Sequence, residues 1–226
     1  MNNLTIIETI LRDRGRFFAE IREGKSISAK IRAMLLSCFV FLAVYGLVMG
    51  ASHSVPQALS AMIKLPILFL LTLAICAPSL HFFNILFGSK QTILQTIALI
   101  LTAISTSSVL LFSVAPITLF FLLTNSGYQF YKLLNVVFFI VAGSLGAVFL
   151  RQGMHVVTEL EGDDGIQTRR MIFYLWVLVY GFVGSQMAWT ISPFMGNPHD
   201  SFMLMKPLGG NVYTDILNAL RQLLEH

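Results

Sequence analysis

The chain has 226 residues, 56% of them hydrophobic and only 12% charged, with a mean hydropathy of +0.76 and a net charge of +4. Soluble domains carry about 25% charged residues, so a water-soluble globule is excluded and lipid solvates most of this chain. The two cysteines, Cys38 and Cys76, both lie inside apolar runs, which argues for buried thiols and against a disulfide framework.

Residues 1–32 read as a cytoplasmic amphipathic N-terminal segment. Ile6, Ile7, Ile10, Leu11, Phe17, Phe18 and Ile21 recur at helical spacing, with Glu8, Arg12, Asp13, Arg14, Arg16, Glu20 and Arg22 between them. Such a helix either lies in the anionic membrane interface with its arginines at the headgroups, or packs on the bundle or a partner protein. Mixed charge over the first thirty or so residues, with no small-residue cleavage site after the first apolar run, leaves no cleavable signal to expect.

Residues 33–191 read as a transmembrane domain of five helices. The first span, about Ala33 to Ala51, contains Gly46 and Gly50 in G-x-x-x-G spacing, which lets a second helix approach closely. The second is Lys64–Lys90, uncharged between its lysines. Its apolar run from Leu65 to Phe87 would rise roughly 34 Å as a helix, enough to cross a hydrocarbon core of about 30 Å. Pro66 sits near its start, and Pro78 is followed by Ser79, His81 and Asn84. The third span, from near Thr92 to about Leu123, is long enough to tilt or to bend at Pro116. Its hydroxyls at Thr102, Ser105, Thr106, Ser107 and Ser108 either line a polar path or bond the carbonyl one turn back.

The fourth span, about Tyr131 to Leu150, has a small flank that includes Gly143 and Gly146. The loop after it holds Glu159, Glu161, Asp163 and Asp164, whose spacing matches no calcium loop. The fifth span, about Met171 to Ile191, carries a second small stripe with Gly181 and Gly184, then Gln186 and the interfacial Trp189. Residues 192–226 are too apolar to float and are expected to fold back over the bundle end as an extracytoplasmic tail. That tail finishes in an amphipathic helix with Tyr213, Ile216, Leu217, Leu220 and Leu224 on one side. The terminal Leu224-Glu225-His226 has the form of a vector remnant and carries no weight.

With the N-terminus inside, the inner segments hold Arg12, Arg14, Arg16, Arg22, Lys25, Lys30, Arg32, Lys90, Arg151, Arg169 and Arg170. These are eleven of the fifteen basic residues, and only Lys64, Lys132, Lys206 and Arg221 fall outside. The bias supports an N-terminus inside and a C-terminus outside. The expected location is the cell inner membrane, multi-pass, with a cytoplasmic N-terminus and an extracytoplasmic C-terminus. His81 is the one ionisable residue this reading puts deep in a span, too little for a proton relay or an ion-coupled carrier. No H-E-x-x-H, G-x-S-x-G or phosphate-cradling glycine loop occurs. The expectation is therefore an all-α, five-span bundle with no catalytic residue, metal or cofactor.

Three stretches together resemble a group of bacterial five-span integral membrane proteins and, in their order, the broader Yip (Ypt/Rab-interacting) membrane-protein family. They are KLPILFLLTLAICAPSLHFFNILFGSK, GFVGSQMAWTISPFMGNP and GGNVYTDIL. The resemblance implies a cytoplasmic N-terminal segment, five spans, a C-terminus on the far side and a role in binding partner proteins.

The leading expectation is a non-catalytic scaffold or partner-binding subunit of a membrane complex. It would contact membrane lipids and another membrane protein or a second copy, and no nucleic acid. The alternatives are a channel or carrier for a small or neutral solute, and a lipid-binding protein. If a ligand or partner site exists, Pro78, Ser79, His81 and Asn84 with Gln186, Trp189 and Asn197 are its candidates. Pro78 would open the helix, the amides would make contacts and Trp189 would anchor the outer rim. Gly46, Gly50, Gly143, Gly146, Gly181 and Gly184 are the expected helix-packing positions.

Overall fold

The computed structural model describes residues 3–86, 89–124, 127–157, 166–196, 202–205 and 211–224. Among them it forms eight helices: α1 (Asn3–Arg12), α2 (Arg14–Arg22), α3 (Ile27–Gly50), α4 (Val55–Leu86), α5 (Ile93–Leu123), α6 (Tyr128–Val157), α7 (Ile166–Ile191) and α8 (Val212–Leu224). Helices α3 to α7 are each long and apolar enough to cross a membrane, which makes this an all-α polytopic bundle. The acidic loop Glu159–Asp164 and Asn197 lie outside the described residues.

α3 and α4 begin earlier than hydropathy alone suggests. α3 starts at Ile27, so Lys30 and Arg32 stand inside its first turns. α4 starts at Val55, where the Ser54 hydroxyl accepts from the Gln57 N–H at 3.4 Å and Pro56 occupies the first turn. That start puts Lys64 inside the helix instead of at its rim. α4 also runs through Pro78 without a break, and α5 through Pro116.

The chain divides into two compact units, and each of α3 to α7 contributes residues to both. The first unit comprises residues 1–38, 71–107 and 143–182. Here α1 and α2 bury Ile6, Ile7, Ile10, Phe17, Phe18 and Ile21, so their apolar face is packed inside the protein. Asp13 separates the two helices, its carboxylate accepting from the Arg16 N–H. Thr92 and Gln95 cap α5 reciprocally: the Thr92 N–H donates to Gln95 Oε1 at 2.8 Å, and the Gln95 N–H to Thr92 Oγ1 at 3.3 Å. Gln95 Nε2 then donates to the carbonyls of Ile21 and Arg22, tying down the end of α2. At Gly153 a Cβ would stand 2.6 Å from the Phe18 ring and 2.7 Å from Leu99, so only glycine lets α6 come this close.

The second unit comprises residues 39–70, 108–142 and 183–226. α3 and α4 meet backbone to backbone: a Cβ on Gly46 would stand 2.5 Å from the Ala61 carbonyl oxygen, and one on Gly50 2.7 Å from that of Gln57. Tyr45 donates to Asn135 Oδ1 at 2.7 Å, and Asn135 Nδ2 donates to the Tyr131 carbonyl at 2.8 Å, so this buried pair is satisfied internally. α8 is held by an ion pair between Lys132 and Asp215, by Ser185–Tyr213 at 2.9 Å and by Gln129–Gln222 at 2.6 Å.

Candidate functional site

The sequence-derived candidates separate into two groups. Pro78, Ser79, His81 and Asn84 belong to the first unit, and Gln186 and Trp189 to the second. Pro78 is exposed on α4 and does not open the helix. The Ser79 hydroxyl donates to the Cys76 carbonyl at 2.7 Å and accepts from Trp176 Nε1 at 3.0 Å. His81 Nδ1 meets Thr96 Oγ1 at 3.2 Å. Asn84 Nδ2 donates to Gln91 Oε1 at 3.2 Å and reaches the Met154 sulfur at 4.0 Å. These polar groups of α4 therefore bond side chains of α5, α6 and α7 and act as interhelical ties.

The third-span hydroxyls follow the same economy. Thr102 donates to the Ala98 carbonyl at 2.8 Å and Thr106 to the Thr102 carbonyl at 3.0 Å, while Ser105 meets the Cys38 sulfur at 3.1 Å. They turn inward on the helix or tie it to a neighbour. In the second unit, the Gln186 carbonyl accepts from Thr190 Oγ1, and the Trp189 carbonyl accepts from the Ser192 hydroxyl, both at 2.8 Å.

The glycines divide as well. Gly46, Gly50 and Gly146 touch a neighbouring helix, the last with Ala103 O 2.8 Å from an added Cβ. A Cβ added at Gly143 or Gly181 would meet nothing within 4 Å among the described residues, which corrects these two as packing positions there. Gly184 is half-buried on α7. The apolar stretch of α7 is only 11% buried, against 67% for α5.

The structure adds a polar cluster that hydropathy hid. Lys64, read from sequence as a flanking residue, is 7% exposed inside α4. Its ammonium donates to the Pro193 carbonyl at 3.2 Å and to the Leu204 carbonyl. Two turns earlier, Gln57 Nε2 donates to Pro193 O at 2.7 Å and to Phe194 O at 3.2 Å. Within the second unit, the segment after α7 is thus gripped by α4 through its backbone. The expectation that His81 is the one ionisable group inside a span is corrected accordingly. The sequence signal was present in Ser54-Val55-Pro56-Gln57, a helix start that moves Lys64 inward.

A second buried lysine lies in the first unit. Lys30 Nζ pairs with Glu20 at 2.9 Å and donates to the Lys25 carbonyl at 2.9 Å. The hydrogen bond from Lys30 to Glu20 holds the Glu20 carboxyl below the usual carboxylate range. Among the described residues, no three His, Cys, Asp or Glu side chains group together as a metal site would require. No family model, curated protein or solved structure matches this chain.

Proposed function

We propose that this protein is a non-catalytic scaffold or partner-binding subunit of a membrane complex, inserted in the inner membrane with its N-terminus cytoplasmic and its C-terminus outside. The observation that carries this reading is the open space at Gly143 on α6 and Gly181 on α7. Small residues facing lipid leave helix backbone accessible, and another helix packs there more closely than acyl chains do. Ile140 and Val141 on α6, and Leu178 and Phe182 on α7, flank these positions and are exposed. The ties at Ser79, His81 and Asn84 favour a static bundle over a solute path, because a path needs polar groups left free for its cargo. The positive charge bias and the Yip-like order of features support the orientation and the partner-binding role.

The test is copurification from gently solubilised native membranes. A second chain or a second copy is expected with the parent protein and lost in Gly143→Leu and Gly181→Leu, with the helical circular dichroism unchanged. A parent protein that always emerges as a lone monomer would sink the proposal. Reporter fusions at the two ends check the orientation.

A further inference from the structure

Each hydrogen bond described above between the segment after α7 and Gln57 or Lys64 uses a backbone carbonyl as its acceptor. Carbonyls accept and cannot donate, so this cover leaves any acceptor beneath it unsatisfied. One such atom is Gln57 Oε1, buried without a partner; Ser60 Oγ, which can donate as well as accept, is buried without one too. Gln57 is 1% exposed. Lys64 brings a positive charge that, among the described residues, meets only neutral carbonyls. Residues 57, 60 and 64 follow the i, i+3, i+7 spacing of one helix face. Each orphaned acceptor costs about 1–3 kcal/mol, and a buried ammonium without a counter-ion costs several more. The closed arrangement therefore carries hydrogen-bonding capacity that its cover cannot use.

We propose that Gln57, Ser60 and Lys64 form a covered seat for a phosphate group that carries a hydroxyl, the chemistry shared by a phosphoglycerol lipid headgroup and free glycerol phosphate. The seat opens when the Pro193, Phe194 and Leu204 carbonyls let go and take water instead. Phosphate oxygens then accept from the Lys64 ammonium and the Ser60 hydroxyl, and the ligand hydroxyl donates to Gln57 Oε1. Cover and ligand compete for the same ammonium, so binding and release of the segment are linked. A phosphocholine headgroup lacks the donor and carries its own cation, and it fits less well on both counts.

The test uses the full chain in nanodiscs of phosphatidylcholine alone or with phosphatidylglycerol. Native mass spectrometry reads the lipid retained on delipidation, and limited proteolysis reads the exposure of the segment around Phe194. Retention of phosphatidylglycerol should exceed that of phosphatidylcholine by roughly tenfold, the factor expected for one charge-assisted contact. The preference should vanish in Lys64→Met and weaken in Gln57→Leu, which keeps the charge in place should the first fail to fold.

Phosphatidylglycerol retention that glycerol 3-phosphate does not compete away identifies a lipid ligand. Faster proteolysis on adding glycerol 3-phosphate to phosphatidylcholine discs, without a lipid preference, identifies a soluble one. No response to either source, or a preference untouched by both variants, overturns the proposal.

Discussion

Lys30 and Lys64 are both buried near the start of an apolar helix, and the two units neutralise them differently. Lys30 has a carboxylate, Glu20, and one carbonyl, that of Lys25. Lys64 has the carbonyls of Pro193 and Leu204 from a segment far along the chain. The first arrangement is a local ion pair between α2 and α3, whose partners lie ten residues apart. It closes the N-terminal helices onto the bundle. The second holds a backbone segment by its carbonyl dipoles and, among the described residues, leaves net charge behind. The difference teaches that burial of a lysine does not by itself mark a working site. What distinguishes the two is whether the surroundings cancel the charge.

Breaking the first arrangement should have the largest effect. Glu20→Ala strands a buried ammonium and is expected to cost about 3 kcal/mol, somewhat reduced by the remaining Lys25 carbonyl. Thermal unfolding in detergent, followed by helical circular dichroism, measures it. An unchanged midpoint would mean that Lys30 finds water and that the pair is ornamental. Next in size is Gln57→Leu, which removes two hydrogen bonds to the segment after α7 without stranding a charge. Its expected cost is about 1–2 kcal/mol, seen as faster proteolysis near Phe194 and little change in global unfolding.

Lys64→Met is expected to leave the helices as stable as the parent or slightly more so, because an apolar side chain of similar length replaces an uncancelled cation. Loss of the folded bundle in this variant would show that the carbonyls offset the ammonium fully. The smallest effect is the pH dependence. The Glu20 carboxyl titrates below its ordinary range when folded, so its stabilisation is complete above that range. It is lost as pH falls through the lowered value. Parent and Glu20→Gln should therefore converge in acid.

Much of the candidate site was legible as chemistry and illegible as partnership. Ser79, His81 and Asn84 stand out because polar groups in hydrocarbon must be satisfied. Their partners Trp176, Thr96, Gln91 and Met154 carry no pattern that ties them to α4. The N-terminal helices illustrate the same limit. Their amphipathic period is plain, yet whether the apolar face meets lipid or protein depends on Gly153, where the lack of a side chain admits Phe18. Gly143 and Gly146 sit three residues apart in equally small surroundings. One is open and the other touches α5. Lys64 was misplaced because a charge at the edge of an apolar run reads as a boundary, while the helix was nucleated earlier by Ser54 and Pro56.

From its residues alone, this protein was bound to be a bundle of five apolar helices. Burying so much hydrocarbon with so few charges admits only lipid as solvent; lipid admits only helices or closed barrels, and continuous apolar runs of this length fit helices. Which glycines meet a neighbour, which lysine meets a carboxylate and which meets carbonyls were settled by the tertiary structure. Those outcomes depend on distances between segments remote in sequence, and a local pattern of hydrophobic and polar residues does not encode them.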